Sequence, residues 1–232
     1  MKAKLLEWDT DFFGVNVGAI DDDNDKNDLL ELSFFDVLVI KQKRDISLDI
    51  EGFQKTFQET KVIFEKKLED GKEVQATQIK IFDTDETNVG WESFRKLAYE
   101  SGKMSRFRLD SRFGVYKFRE LYDQWIINSL NKKFAIKTFY VVDGKDVPIA
   151  FVTLQRGRGT IGKIGLIATC PDYQGKGIGK KMLQKVERYC QENNISTLEI
   201  PTQEENSQAC AFYAKMDYVV KERQVIKHYW KK

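Results

Sequence analysis

Hydrophobic and polar positions alternate along much of this chain, and at intervals the period lengthens to that of a helix. In the first hundred residues the β-branched runs VNVGAI (Val15–Ile20) and DVLVIK (Asp36–Lys41) predict strands. The alternating KVIFEKKL (Lys61–Leu68) predicts a third, and ATQIKIF (Ala76–Phe82) a fourth. WESFRKLAY sets Trp91, Phe94, Leu97 and Ala98 at helical spacing. KFRELYDQWIINSL places Phe118, Leu121, Tyr122, Trp125, Ile126 and Leu130 on one face of an amphipathic helix. TFYVVDGKDVPIAFVTL reads as two strands around Asp143-Gly144, a hairpin. GTIGKIGLIAT is a further strand ending near Thr169. A helix from Ile178 to Asn193 buries Ile178, Met182, Leu183, Val186, Tyr189 and Cys190. STLEIP is a strand, Asn206–Met216 a helix, and YVVKERQVIKHYW two short closing strands. Strands alternating with helices predict an α/β fold with a mixed sheet.

Composition narrows the function classes. With 232 residues, 41% of them hydrophobic, the chain can bury a sizeable core. A formal net charge of +2 provides no general field for nucleic acid or an anionic membrane. Cys170, Cys190 and Cys210 are an odd set with no CxxC pair, and His228 is the lone histidine, so neither a disulfide framework nor a Cys/His zinc site is expected. The cysteine usage points to a reducing, cytoplasmic setting. Asp9 and Asp11 arrive too early for a signal peptide's apolar region. No run approaches the ~18 apolar residues of a spanning helix. Pro148, Pro171 and Pro201 each fit a strand start or end. DDDNDKND (Asp21–Asp28) has the alternating acids of a calcium loop. It lacks the loop's glycine at the sixth place (Lys26) and its glutamate at the twelfth (Leu32), so it reads as a solvated loop.

The stretch YQGKGIGKKML (Tyr173–Leu183) carries the chemistry. A Walker A loop needs a glycine and then a lysine five and six places after Gly175, and the spacing fails. The dinucleotide fingerprint fails as well, because Lys180 or Met182 stands where its last glycine should be. What remains is a strand, a glycine loop and a helix start. The first helix amides have no internal acceptors and carry partial positive charge. Gly175, Gly177 and Gly179 would let a phosphate approach them, with Lys176, Lys180 and Lys181 adding charge. A tight turn without a ligand is the plainer alternative, for which one glycine would suffice.

Gln174-x-x-Gly177-x-Gly179 resembles the Q/R-x-x-G-x-G/A signature of the GCN5-related N-acetyltransferases, the GNAT superfamily. Asn206, Ala209, Phe212 and Tyr213 resemble that family's later N-x-x-A-x-x-F-Y helix. Asp217 departs from the glycine that usually closes this helix. The resemblance implies a GNAT acyl-CoA N-acyltransferase fold in residues 104–232, preceded by a smaller N-terminal α/β domain, 1–103, that would help shape the acceptor site. It implies acetyl-CoA as co-substrate and no metal. The diphosphate would lie on the amides of Gln174, Gly175, Lys176, Gly177, Ile178, Gly179 and Lys180. Leu166, Ile167, Ala168 and Thr169 would meet the pantetheine arm, with Asn206 and Phe212 beside it. Tyr213 would give a proton to the departing thiolate; packing beside Phe212 is the alternative. The base stays unassigned: Glu199, Asp110 and water are candidates, and His228 reads as structural.

EWDTDFFGVNVGAI, SRFRLDSRF and FRELYDQWIINSLNKKFA resemble segments of dTDP-fucosamine acetyltransferases. That likeness implies an amino-deoxysugar acceptor linked to a nucleotide, made for a surface polysaccharide, and a homodimer. Arg106, Arg108 and Arg112 would then meet a diphosphate, with Phe107, Phe113 and Trp125 flanking a ring. Acetylation of a protein N-terminus, a polyamine or an antibiotic, and a non-catalytic acetyl-CoA sensor, are the alternatives.

Overall fold

The computed structural model describes residues 2–21, 29–68, 79–86 and 89–232. Its strands are β1 (Lys2–Leu5), β2 (Val17–Asp21), β3 (Leu29–Glu31), β4 (Val37–Gln42), β5 (Phe53–Lys67), β6 (Phe82–Asp83), β7 (Lys137–Val142), β8 (Pro148–Arg156), β9 (Ile161–Thr169), β10 (Thr197–Gln203) and β11 (Val219–Lys231). The helices are α1 (Glu7–Phe13), α2 (Arg95–Ser101), α3 (Arg106–Leu109), α4 (Gly114–Leu130), α5 (Ile178–Glu192) and α6 (Ser207–Lys215). All strands join one sheet in the order β3-β1-β2-β4-β11-β5-β10-β9-β8-β7-β6. Among the described residues only β2–β4 and β9–β10 pair in parallel, so the sheet is mixed.

The apolar pattern explains the layering. The one buried stripe of α5, Ile178, Met182, Leu183, Val186 and Cys190, packs with α6 on one face of the sheet. On the opposite face α2 and α4 bring Leu97, Ala98, Phe118, Leu121 and Ile126 against Tyr140, Phe151, Leu166 and Ala168. Between these layers β8 is buried from Pro148 to Leu154, as a strand covered on both sides must be.

Several expectations change. In place of two short strands within 218–230 there is one long strand, β11 (Val219–Lys231), with register shifts at Val220/Glu222 and His228/Tyr229. The expected strand Lys61–Leu68 proves, as far as Lys67, to be the second half of β5, whose polar first half, Phe53–Thr60, hid its strand character. Of the expected strand 76–82, residues 76–78 lie outside the described residues, and only Phe82 is in a strand. The acidic stretch 22–28 also lies outside them. In the β7–β8 hairpin the left-handed residue is Asp146 (φ 59°), not Gly144, because the turn is longer than two residues. Asp143 Oδ1 accepts from the amides of Lys145 and Val147 and closes it. Pro201 sits inside β10 rather than at its end, two residues beyond the last residue paired with β9.

β5 comes from the first hundred residues yet lies in the middle of the sheet. It pairs antiparallel with β10 along Lys61–Lys67 and with β11 along most of its length. Lys66 Nζ bonds Glu187 of α5 at 3.0 Å and the Met216 carbonyl at 3.1 Å, and the Tyr218 hydroxyl donates to the same Glu187 oxygen at 2.8 Å.

Candidate functional site

The parallel pair β9–β10 is short. It runs from Thr197↔Ile161 to Glu199↔Lys163 and then the strands part. An irregularity in β9 accompanies the parting. Gly165 and Leu166 together stand opposite Thr153 of β8, an extra residue that bends the strand. A side chain at position 165 would begin 2.6 Å from Gln155 Nε2 and 2.9 Å from Thr153 Oγ1, so the bend requires glycine. The Leu166 amide donates to Thr153 Oγ1 at 2.8 Å, and the Cys170 amide to the Ile149 carbonyl at 2.7 Å. Both point toward β8. By strand alternation the main-chain groups of Ile167 and Thr169 face the opened gap. Leu166 and Ala168 turn their main-chain groups to β8, and their side chains pack in the cluster built by α2 and α4.

Beyond β9 the loop is fastened before the helix starts. Gln174 Nε2 donates to the Thr169 carbonyl at 3.0 Å, and Gln174 Oε1 accepts from Gln208 of α6 at 3.3 Å. Gly175 (φ 74°) and Gly177 (φ 78°) are both left-handed, and a Cβ at either would meet nothing within 4 Å. Conformation, not crowding, selects glycine there. Gly179 differs: it lies in the first turn of α5, and its face is covered by the Phe212 ring, 3.4 Å from a Cβ at that place. Gly177 caps α5 without a side-chain bond, and Lys181 is the first amide of the helix to find a backbone acceptor, Gly177. The amides of Ile178, Gly179 and Lys180 are thus free for an external anion, as a diphosphate would need. Lys180 is exposed on the cavity rim. Lys176 does not line the cavity; its Nζ lies 4.8 Å from the Tyr173 ring centre.

Across the gap stands α6. Asn206 caps it, its Oδ1 accepting from the Ala209 amide at 3.2 Å. Asp217, which departs from the family's glycine, takes the left-handed conformation itself (φ 65°). Its amide donates to Ala214 and that of Tyr218 to Tyr213, the Schellman closure. Tyr213 is buried among Phe64, Phe212 and Tyr218, yet it lines the same cavity as the glycine loop. Its hydroxyl has no hydrogen-bond partner among the described residues. Burial raises its pKa well above the ordinary phenol value, so it stays protonated through neutral pH.

These parts enclose a cavity of about 750 Å³. Every residue expected at the cofactor lines it except Lys176. Its far end is made by Glu59 and Lys61 of β5, the segment from Glu100 to Phe107, and Tyr122 and Trp125 of α4. Four buried polar atoms of residues in this part of the wall have no partner: Glu59 Oε2, Ser105 Oγ, Arg106 Nε and Trp125 Nε1. Glu59 is 4% exposed, and desolvation pushes its pKa to about 7, Arg106 pulling it back and Glu205 adding to it. Burial, then the charges of Arg106 and Lys41, holds the Lys61 ammonium below the usual lysine value. Sequence reasoning missed Glu59 and Lys61. The alternation of β5, which places both on one face, was the available signal.

Other candidates do not reach the cavity. Arg108 lies over the Phe118 ring, and Arg112 bonds the Lys231 carbonyl at 3.3 Å, so of the three arginines only Arg106 lines the wall. Phe113 is packed between His228 and Trp230. Glu199 is bound by Lys221 at 2.7 Å and Lys163 at 3.4 Å. Burial raises its pKa, but these lysines outweigh that and hold it below the usual value. Asp110 accepts from His228 Nδ1 at 2.7 Å and Trp230 Nε1 at 3.0 Å. Burial holds the fully enclosed His228 below its ordinary pKa, against the pull of Asp110. Neither carboxylate lines the cavity. Among the described residues no group of three His, Cys, Asp or Glu could hold a metal ion. No helix among them is long and apolar enough to cross a membrane.

Comparison with known proteins places this geometry. The model of the acetyltransferase (GNAT) family matches residues 98–218. Streptothricin acetyltransferase A of Bacillus subtilis (strain 168) is 39% identical over 54 residues, 23% of this chain and 31% of that protein. The chain thus spans under a third of that relative's length. A protein described as an acetyltransferase of the GNAT family from Novosphingobium aromaticivorans superposes with a TM-score of 0.54 at 11% identity, covering 85% of this chain and 75% of its own. A functionally unknown conserved protein from Staphylococcus epidermidis superposes with a TM-score of 0.59 at 14% identity, covering 84% and 73%. At such identities these structures establish the fold.

Proposed function

Because the chain belongs to the acetyltransferase (GNAT) family, we propose that it moves an acetyl group from acetyl-CoA to the amine of a small polar acceptor. The glycine loop fits the co-substrate: three consecutive amides lack acceptors where the wall carries no side chain. Gly175, Gly177 and the amides of Ile178, Gly179 and Lys180 would hold its diphosphate, and Ile167 and Thr169 its amide-bearing arm. Bound acetyl-CoA supplies an acyl group on a thiol leaving group. Tyr213 gives the proton that the departing sulfur needs, and the main-chain donor of the opened β9 polarises the carbonyl.

For the acceptor, the observation that carries the reading is the set of unpartnered atoms Glu59 Oε2, Ser105 Oγ, Arg106 Nε and Trp125 Nε1. Buried polar atoms without partners call for a polar ligand. Arg106 and Lys61 suit an anionic group on that ligand, and Trp125 and Phe107 suit a ring. A nucleotide-linked amino-deoxysugar of the dTDP-fucosamine type meets these demands, and the N-terminal resemblance supports it. So does the wall itself, since residues 1–103 supply Glu59, Lys61, Glu100, Ser101 and Lys103. The same resemblance supports a cytoplasmic homodimer. A second reading, acetylation of an antibiotic amine, rests on the 54-residue match to the streptothricin enzyme.

Thiol release from acetyl-CoA separates the readings when dTDP-4-amino-4,6-dideoxygalactose, streptothricin, spermidine and an α-amino peptide are offered in turn. Turnover with the sugar nucleotide is expected. Turnover with streptothricin alone would replace it with the antibiotic reading. Tight acetyl-CoA binding without any turnover would make the chain a sensor.

A further inference from the structure

We infer that Glu59, on a strand outside the segment shared with the family, is the base that takes the proton from the acceptor amine. The inference rests on the proposed acetyl transfer and adds the residue that transfer lacks. Only two carboxylates line the cavity among the described residues, Glu59 and Glu100. Glu100 is committed to Lys103 Nζ at 2.6 Å. Glu59 has one oxygen 3.8 Å from Arg106 Nη1, a loose ion pair, and the other buried with no partner. A carboxylate gripped closely by arginine would be too weak a base, whereas a solvated one would titrate too low.

The charged and titratable groups around it set its basicity. Arg106 faces it from α3, Glu205 from the turn before α6, Tyr122 from α4, and Lys61 from its own strand. Desolvation outweighs the two cations and lifts Glu59 to about 7, near the working pH at which a general base is most effective. Strand β5, fixed between β10 and β11, holds it in the wall that Tyr213 also lines.

The step balances. The acceptor's ammonium gives a proton to the Glu59 carboxylate, leaving a neutral amine with its electron pair free. The amine nitrogen bonds to the carbonyl carbon as the carbon–sulfur bond breaks. Tyr213 protonates the leaving sulfur and recovers a proton from the new amide nitrogen. Glu59 returns its proton to solvent, so ammonium and thioester yield amide, thiol and one proton.

The test compares wild type, Glu59→Gln and Glu59→Asp in the thiol-release assay with whichever of the four amines turns over. In Glu59→Gln we expect kcat to fall about 100-fold or more, with acetyl-CoA affinity by calorimetry unchanged. The acid limb of kcat/KM near pH 7 should vanish in Glu59→Gln and persist in a slower Glu59→Asp. Wild-type kcat and an unchanged limb in Glu59→Gln would overturn the assignment while leaving acetyl transfer standing. A second measurement needs no acceptor: the infrared carboxyl band that wild type has and Glu59→Gln lacks, followed against pH. Titration near 7 supports the role, and titration near the ordinary 4.5 overturns it. If no amine turns over, the transfer reading fails separately.

Discussion

At the scale of single residues, burial does most of the chemistry. Tyr213 and Glu59 line one cavity and are both desolvated, yet the consequences are opposite in use. The phenol is kept protonated and available as a donor. The carboxyl becomes basic enough to matter near neutrality. Tyr213→Phe removes a hydroxyl that bonds nothing among the described residues, so the fold should tolerate it. We expect unchanged acetyl-CoA affinity and a kcat lower by about 10²–10⁴-fold, measured by thiol release and calorimetry. Glu59 also makes a stability prediction. Its folded pKa, about 7, lies above the ordinary 4.5, so the folded state binds the proton more tightly. Stability from this group is present below pH 4.5 and is lost as pH rises through 7. Denaturant melts at pH 5 and pH 8 should show wild type losing up to about 3 kcal/mol relative to Glu59→Gln. Parallel curves would disprove the shift.

At the scale of elements, the three glycines before and within α5 part company. Gly177 is left-handed, and an alanine there would be strained whatever the space. Gly179 is helical, and an alanine Cβ would rest on Phe212 at an ordinary contact distance. Gly177→Ala should therefore destabilise by about 1 kcal/mol and weaken acetyl-CoA binding. Gly179→Ala should hold or raise stability, by about 0.5–1 kcal/mol, and still bind. Thermal melts and calorimetry on both variants check this, and equal effects would refute the distinction. The loop's spacing was legible in sequence, but the reasons for its glycines were not. Left-handed geometry and a neighbouring ring are different causes with the same letter. The end of α6 shows the converse: Asp217 looked like a departure and adopts the left-handed turn all the same.

At the scale of the whole molecule, β5 joins the two halves of the chain. It lies between β10 and β11, and Val62 and Phe64 enter the core built by α5 and α6. Lys66 closes a half-buried ion pair with Glu187 in the same region. The division into 1–103 and 104–232 is a proposal about independent folding, and it is open to a direct measurement. With β5 central we expect one cooperative transition, coincident by tryptophan fluorescence and far-ultraviolet circular dichroism. Two separated transitions would restore two autonomous units.

The sequence by itself determined the elements with a clear period and the glycine loop before α5. These are local: a hydrophobic stripe, a turn and a helix start depend on residues a few places apart. It also carried the family's two signatures, because their residues occupy single short segments. Only the tertiary structure decided that β11 is one strand, that β5 lies at the centre, and that Arg106 alone of three arginines reaches the cavity. It alone brought Glu59 into the wall of the cavity that Tyr213 also lines. Strand order and desolvation arise from contacts between distant parts of the chain, and no local pattern of side chains records them.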